Sequence, residues 1–271
     1  MKLSVIITTY NSEEWLHKVL VGYSVQTVTD FEIVIADDGS TSKVKEVLAF
    51  FSTKFQYPIV HVWQEDLGFR KSEILNKAIV KTNADYLLFT DGDCIPRNDF
   101  VEAHLKHKES GCFLSGGYFK LPMSLSKAIT DTDIINQNCF SVFWLKSKGL
   151  PLNFKVTKLV HNRFFAAFMN WLTPTKRTFN GHNTSCFKSD ILAVNGFNED
   201  MQYGGLDREV GERMFNLGLI SKQIRYSAVC IHLDHSRGYY SQEGWDKNMA
   251  IREYNKKHKV IKIANGIEKL P

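Results

Sequence analysis

Strands alternating with helices over the first hundred residues, and acids at two strand ends, predict an α/β chain. Its sheet is expected to be mostly parallel, with helices on both faces. The strand segments are near-continuous apolar runs rather than polar–apolar alternations, the pattern of strands buried on both faces. The spacing of helical apolar positions between them provides the crossovers that parallel strands require.

The elements follow in order. LSVIITT (3–9) is a β-branched first strand. Residues 13–26 place Trp15, Leu16, Val19, Leu20 and Tyr23 on one helical face, with Asn11-Ser12 as the N-cap. FEIVIA (31–36) is the second strand and runs into Asp37-Asp38-Gly39-Ser40. A helix through Val44, Val47, Leu48 and Phe51 leads to IVHVW (59–63), and a further helix spans about 71–81. ADYLLFT (84–90) is the fourth strand and ends in Asp91-Gly92-Asp93. In open parallel sheets ligands bind beyond the carboxyl ends of the strands, so acids are expected to line the ligand crevice.

Beyond residue 111 the alternation fades. CFLSGGYF (112–119) reads as another strand, and 124–172 as helical or irregular. NTSCF (183–187) is a short strand and Asn195-Gly196-Phe197 a turn. A helix runs from about Asp207 to Asn216 with Gly218 closing it, IRYSAVCIHL (224–233) is a late strand, and the tail is a basic helix.

Composition narrows the function. The chain has 271 residues, 44% hydrophobic and 23% charged, which excludes a disordered chain and a collagen-like repeat. No apolar run reaches the ~18 residues of a membrane span; the longest, Phe164 to Leu172, is interrupted by Asn170. The N-terminal segment reads as a strand rather than a signal peptide. Five cysteines without C-x-x-C spacing point to a reducing, cytoplasmic setting and away from a zinc ribbon. There is no G-x-G-x-x-G after the first strand and no Walker-type loop, so dinucleotide dehydrogenases and P-loop NTPases lose support.

The net charge of +5 is regional. Residues 134–189 contain no Asp or Glu but carry Lys146, Lys148, Lys155, Lys158, Arg163, Lys176, Arg177 and Lys188; without these eight charges the rest of the chain stands at −3. The block reads as a solvated surface, as a nucleic-acid face, for which no motif is present, or, from the aromatics interleaved there as in NRFFAAFMNWL (162–172), as a peripheral contact with an anionic membrane at its inner face, which is the reading we expect.

Asp91-Gly92-Asp93 is a D-x-D. Two carboxylates one residue apart can aim at one hard cation, which in turn can bridge a diphosphate. On this segment, SVIITTYN (4–11) and SVQTVTDFEIVIADDGST (24–41), the chain resembles the nucleotide-sugar domain of family 2 glycosyltransferases, which have the GT-A fold. FNGHNTSCFKSDILAVNGFNEDMQYGGLDREVGERM (179–214) and DHSRGYY (234–240) are similar to the C-terminal region of β-1,4-galactosyltransferases, a combination also made by chondroitin-type synthases.

The resemblance implies a division into a nucleotide-sugar-binding region (1–120), an acceptor and catalytic region (121–240) and a basic tail (241–271), in one compact domain. It implies that Thr8, Tyr10, Asp38, Arg70 and Asp91 hold the donor nucleotide. Asp93, with Asp91 beside it, and His235 would ligate Mn2+ or Mg2+, and Asp207 would be the catalytic base. Leu206, Arg208 and Glu209 stand where the galactosyltransferases have acids, which leaves the acceptor and the donor sugar open. His232 is the alternative ligand: on an extended strand residues three apart face opposite sides, so both histidines on one metal would require a bend. For Asp207 the competing reading is a helix N-cap; as a base it would be kept ionised by the helix dipole.

The expected activity is inverting transfer of one sugar from a UDP-sugar, galactose or N-acetylhexosamine, to a hydroxyl of a bacterial lipopolysaccharide, capsule or lipid-linked glycan. No Gln-x-x-Arg-Trp, the motif of processive synthases, is present. The competing functions are a nucleotidyltransferase, which the TTYNSEEW loop does not fit, and an inactive nucleotide- or sugar-binding protein of the same fold.

Overall fold

The computed structural model describes residues 2–151, 153–235 and 240–269. Its strands and helices alternate from the start: β1 (Leu3–Thr9), α1 (Glu13–Ser24), β2 (Phe31–Asp37), α2 (Ser42–Ser52), β3 (Ile59–Trp63), α3 (Lys71–Lys81) and β4 (Tyr86–Asp91). These are the expected elements, within a few residues at their ends. Ser12 occupies the N-cap of α1, although its hydroxyl makes no capping bond.

Then come β5 (Cys94–Pro96), α4 (Phe100–His107), β6 (Cys112–Ser115) and β7 (Gly117–Lys120). Short helices α5 (Met123–Ala128), α6 (Asp131–Ile135) and α7 (Val142–Ser147) follow, with 3-10 turns at 138–140 and 154–159, and α8 (Arg163–Leu172). The chain closes with β8 (Thr184–Phe187), α9 (Lys188–Ala193), α10 (Leu206–Asn216), β9 (Ile220–Gln223), β10 (Val229–His232) and α11 (Gln242–Lys257).

The main sheet has the order β3-β2-β1-β4-β8-β6-β9, and a smaller one the order β5-β10-β7. β1 to β4 are mutually parallel, and β8 runs against both its neighbours. The order reverses beside β1: the chain steps outward to β3 and returns past β1 to β4. That reversal opens a crevice at the carboxyl ends of β1 and β4, where Thr8 lies level with Asp91.

Side chains of β1 alternate between two cores. Val5 and Ile7 pack with α1, α2 and α4 on one face; Ile6 packs with α3, α9 and α10 on the other. All three are fully buried, each contributing about 1.5–3 kcal/mol relative to an exposed side chain.

Two expectations are corrected. Residues 112–119 are not one strand: the chain bends at Gly116, whose N–H donates to the Asn183 carbonyl at 2.9 Å, so that β6 joins the main sheet and β7 the small one. Residues 224–233 are strand only from Val229, because Ile224 to Ala228 form a turn in which the buried Tyr226 packs beneath α8. The tail is helical through Lys257 and irregular from 258 to 269.

α10 is anchored by a buried ion pair. Arg213 Nε meets Glu209 Oε1 at 2.7 Å with both side chains fully inaccessible, and the guanidinium also donates to the carbonyls of Val194 and Gly196. Asn255 of α11 completes it, donating to Glu209 at 2.7 Å. Glu209, at a position where the galactosyltransferases of the resemblance have an acid, is thus committed to holding the helix.

Candidate active site

A cleft of about 780 Å³ lies at the topological reversal, bordered by Thr8, Asp38, Asp91, Asp93, Asp207 and His235. Tyr10 also faces it, its hydroxyl donating to Asp66 at 2.9 Å. Five of the six donor and metal candidates on the first half of the chain therefore border one space.

Arg70 reaches it differently. Its backbone N–H donates to Asp38 Oδ2 at 2.9 Å, while its guanidinium turns to Glu73 Oε2 at 3.0 Å and to the Glu65 carbonyl. Asp38 also accepts from Gln64 at 2.6 Å, and burial raises its carboxyl above the ordinary value. Asp37 does not line the crevice as expected. It is fully buried, accepts from the Ser40 N–H at 2.8 Å and meets His61 Nε2 at 2.8 Å, so it fixes the turn after β2.

A cation inside the cleft is Lys71, the first residue of α3, which the sequence reading does not single out. Its Nζ lies 2.7 Å from Asp91 Oδ1, an atom that also accepts from the Thr8 hydroxyl at 2.7 Å. Burial works against the charge of both partners. It is outweighed in Lys71 by Asp91 and then Asp207, which hold the amine above its usual range, and in Asp91 by Lys71 and Thr8, which hold the acid well below its own. Asp91 is thereby an ionised, positioned carboxylate, with one oxygen already occupied by protein donors.

Asp93 has different company. His235 Nε2 stands 3.1 Å from its Oδ2 and His232 Nε2 3.9 Å from the same atom. The two rings stack at 5.8 Å with 16° between their planes. The expectation that these histidines face opposite ways fails because β10 stops at His232: the Leu233 N–H donates to the Asp93 carbonyl at 2.9 Å and turns the chain back over the D-x-D loop. Ser236 and Arg237, the rest of the His-Ser-Arg segment, lie outside the described residues.

This donor set fits a divalent cation. His232 Nδ1 is 2.8 Å from the Leu233 carbonyl. A carbonyl only accepts, so Nδ1 carries the proton and Nε2 presents its lone pair toward Asp93. Asp93, Cys94 and His232 bring their ligand atoms within 4.8 Å of one another. Burial keeps the Cys94 thiol protonated, however, and its Sγ donates to Asp93 Oδ1 at 3.3 Å. Cys94 therefore orients the carboxylate, leaving Asp93 and the two imidazoles as the groups that could hold a cation. Behind them His182 is neutral, its pKa lowered by burial to about 4, and the Tyr118 ring packs on both His182 and His232.

Asp207 also borders the cleft, from the start of α10. It is the second residue of α10; the N-cap is Gly205, so the capping reading of Asp207 does not apply. Gly204 and Gly205 hold φ of 106° and 80°, and a Cβ at Gly204 would come within 2.8 Å of the Trp245 ring, so glycines alone suit this entry to the helix. Gly181 does the same on the other side: a Cβ there would lie 2.5 Å from Asp207 Oδ1, an oxygen buried without a hydrogen-bond partner among the described residues. The expected dipole effect does not dominate. Burial, with Asp91 nearby, raises the Asp207 carboxyl above its ordinary value, against the pull of Lys71.

Residues of the middle segment complete the rim. Met123 and Lys127 of α5 and Tyr203, which the sequence reading does not single out, line the cleft beside Trp15.

Residues 4–173 match Glycosyl transferase family 2. The chain is 26% identical to the "Uncharacterized glycosyltransferase YfnE" of Bacillus subtilis, over 92% of this chain and 69% of that protein. It is 28% identical to the validoxylamine A glucosyltransferase of Streptomyces hygroscopicus subsp. limoneus (80% and 48%) and 23% identical to the chondroitin synthase of Escherichia coli (85% and 34%). It thus spans half or less of the length of those two relatives.

Among solved structures, Staphylococcus aureus TarS 1–349 in complex with UDP-GlcNAc superposes with a TM-score of 0.61 at 15% identity, covering 96% of this chain and 70% of that one. The Pyrobaculum calidifontis mannosyltransferase in complex with GDP-Man and Mn2+ does so with 0.60 at 19%, covering 96% and 64%. The sheet that ends in a D-x-D and the family match converge: the chain belongs to glycosyl transferase family 2, has the GT-A fold, and is a glycosyltransferase.

Proposed function

We propose that the protein transfers one sugar, with inversion, from a UDP-sugar to a hydroxyl of a bacterial surface glycan. The observation that carries this reading is that Asp207, buried with one oxygen unpartnered, and the Asp93–His232–His235 cluster border one cleft.

Inverting transfer needs a carboxylate that takes the acceptor hydroxyl's proton as that oxygen attacks the anomeric carbon. Asp207 fills that role, and its raised pKa makes it a stronger base than an ordinary aspartate. The transition state is oxocarbenium-like, and the leaving nucleoside diphosphate gains charge. A Mn2+ or Mg2+ ion held by Asp93, His235 and His232 would neutralise part of that charge. Lys71 holds Asp91 in place, and Thr8, Tyr10 and Asp38 border the part of the cleft that takes the nucleoside, with Arg70 bracing Asp38 through its backbone.

In this reading residues 1–120 hold the donor and 121–240 supply the acceptor wall and the base. UDP-GlcNAc in the TarS complex, and the galactosyltransferase-like segment 179–214, favour UDP-galactose or a UDP-N-acetylhexosamine. The lack of Gln-x-x-Arg-Trp favours single additions to lipopolysaccharide, capsule or a lipid-linked glycan.

A panel of UDP-, GDP- and dTDP-sugars, incubated with manganese or with chelator, tests this. Metal-dependent release of UDP from one sugar is expected. Release from a GDP- or dTDP-sugar alone overturns the donor, and no release together with no nucleotide binding by calorimetry overturns catalysis.

A further inference from the structure

α8 turns the wrong face outward for a helix of a self-sufficient domain. Ala166 and Met169 are buried against Tyr226, with Phe165 partly covered beside them. The remaining large apolar residues, Phe164, Phe168, Trp171 and Leu172, are 73%, 52%, 77% and 51% exposed. Their spacing of four, three and one places them on a single stripe of the helix, so the exposure is one continuous surface rather than scattered side chains.

Along the chain, the formal charges that flank that stripe are of one sign, although His161 just before α8 meets Asp99 at 3.1 Å. Arg163 opens α8, and Lys176 and Arg177 follow its end; all three are exposed, as are Lys146, Lys148 and Lys155 earlier in the same acid-free block. Among the described residues none of these six cations has an ion-pair partner. The block also exposes Phe143 (83%) and Phe154 (68%).

We propose that this surface docks the enzyme on an anionic lipid bilayer, with the α8 stripe entering the headgroup–acyl boundary and the flanking cations meeting lipid phosphates. A protein partner with an apolar groove would satisfy the stripe alone. The unpaired cations without a single acid over residues 134–189 match instead a surface that is negative throughout.

The docked face also adjoins the site. Lys158 Nζ, from the 3-10 turn that precedes α8, donates to the Tyr118 carbonyl at 3.2 Å and sits 5.3 Å over its ring, and that ring packs on His232. Docking would set the metal-side wall of the cleft close to the lipid surface. The proposal does not depend on which sugar is transferred.

Co-sedimentation of the full chain with vesicles of phosphatidylcholine, and of phosphatidylcholine with phosphatidylglycerol, tests it. We expect binding to the mixed vesicles only, weakened by salt, and reduced about tenfold or more in Phe164→Ser/Trp171→Ser and in Arg163→Glu/Lys176→Glu. All four positions are exposed, and UDP binding by calorimetry should match wild type, which shows that the variants fold. Equal binding to neutral vesicles, or none to either, overturns the proposal. So does a dimer in sedimentation velocity that the double serine variant dissociates in the absence of vesicle binding, which would make a second copy the occupant of the stripe.

Discussion

Replacing Asp207 with Asn should abolish most turnover while leaving the protein at least as stable. The substitution is close to isosteric, and Lys71 keeps its 2.7 Å contact with Asp91, so the cleft retains its internal cation. Loss of a general base reduces turnover about 100- to 10,000-fold, or about 3–5 kcal/mol of barrier. Stability should move the other way. A carboxyl whose folded pKa exceeds its unfolded one supports the fold fully at pH below the unfolded value, and that support is lost as pH rises through the raised value. At neutral pH the buried charge of Asp207 is therefore a burden that Asn lacks, and the melting temperature of Asp207→Asn at pH 7 should equal or exceed wild type, each kcal/mol amounting to about 2–4 °C. The assay is UDP release with donor and acceptor, alongside UDP affinity and thermal melting. Retention of more than a tenth of wild-type turnover, or a loss confined to donor affinity, would refute the assignment.

Lys71→Met leaves a partly buried Asp91 without its cation. Since about a quarter of each side chain still meets solvent, the cost should be at the low end for such pairs, about 3 kcal/mol in chemical denaturation. The same variant should shift the acid limb of the pH–rate profile upward, because Lys71 lowers the Asp207 carboxyl, and an unchanged limb would separate the two groups. His235→Ala and His232→Ala should each weaken Mn2+ binding about tenfold or more by calorimetry, and an effect of neither would move the cation away from Asp93. Gly181→Ala would put a methyl 2.5 Å from Asp207 Oδ1, so turnover should fall about tenfold or more with the circular dichroism spectrum preserved.

The donor half was readable because its strands are unbroken apolar runs with acids at their ends, and nothing in β1, β2 or β4 competes with that pattern. Beyond it, the readings that failed share a cause, which is that apolar continuity hides a change of direction. Residues 112–119 look like one strand because Phe113, Leu114 and Phe119 are all buried, yet they serve two sheets. His232 and His235 share one side because β10 ends at His232, a stop that the apolar run through Leu233 conceals. Lys71 was invisible for another reason: a lysine at a helix start ordinarily points to water, and only the return of β4 past β1 sets Asp91 beside it. For Asp207 the start of the helix was legible, but the approach of Gly181 to its carboxyl, from outside that helix, was not.

The reversed strand β8 has a consequence for how the chain is made. Its residues 184–187 seal the edge of β4 about a hundred residues after β4 itself, and on its other side they pair with β6. As the chain emerges from a ribosome, β3-β2-β1-β4 can assemble early, but one margin stays open, with Tyr86 to Phe89 offering unpaired amides and carbonyls to any passing strand. A fragment that stops near residue 120 would keep that margin permanently, and is expected to aggregate rather than persist as a free nucleotide-binding unit. The strands β1 to β4 therefore depend for their solubility on a segment that lies beyond the whole stretch from β5 to α8.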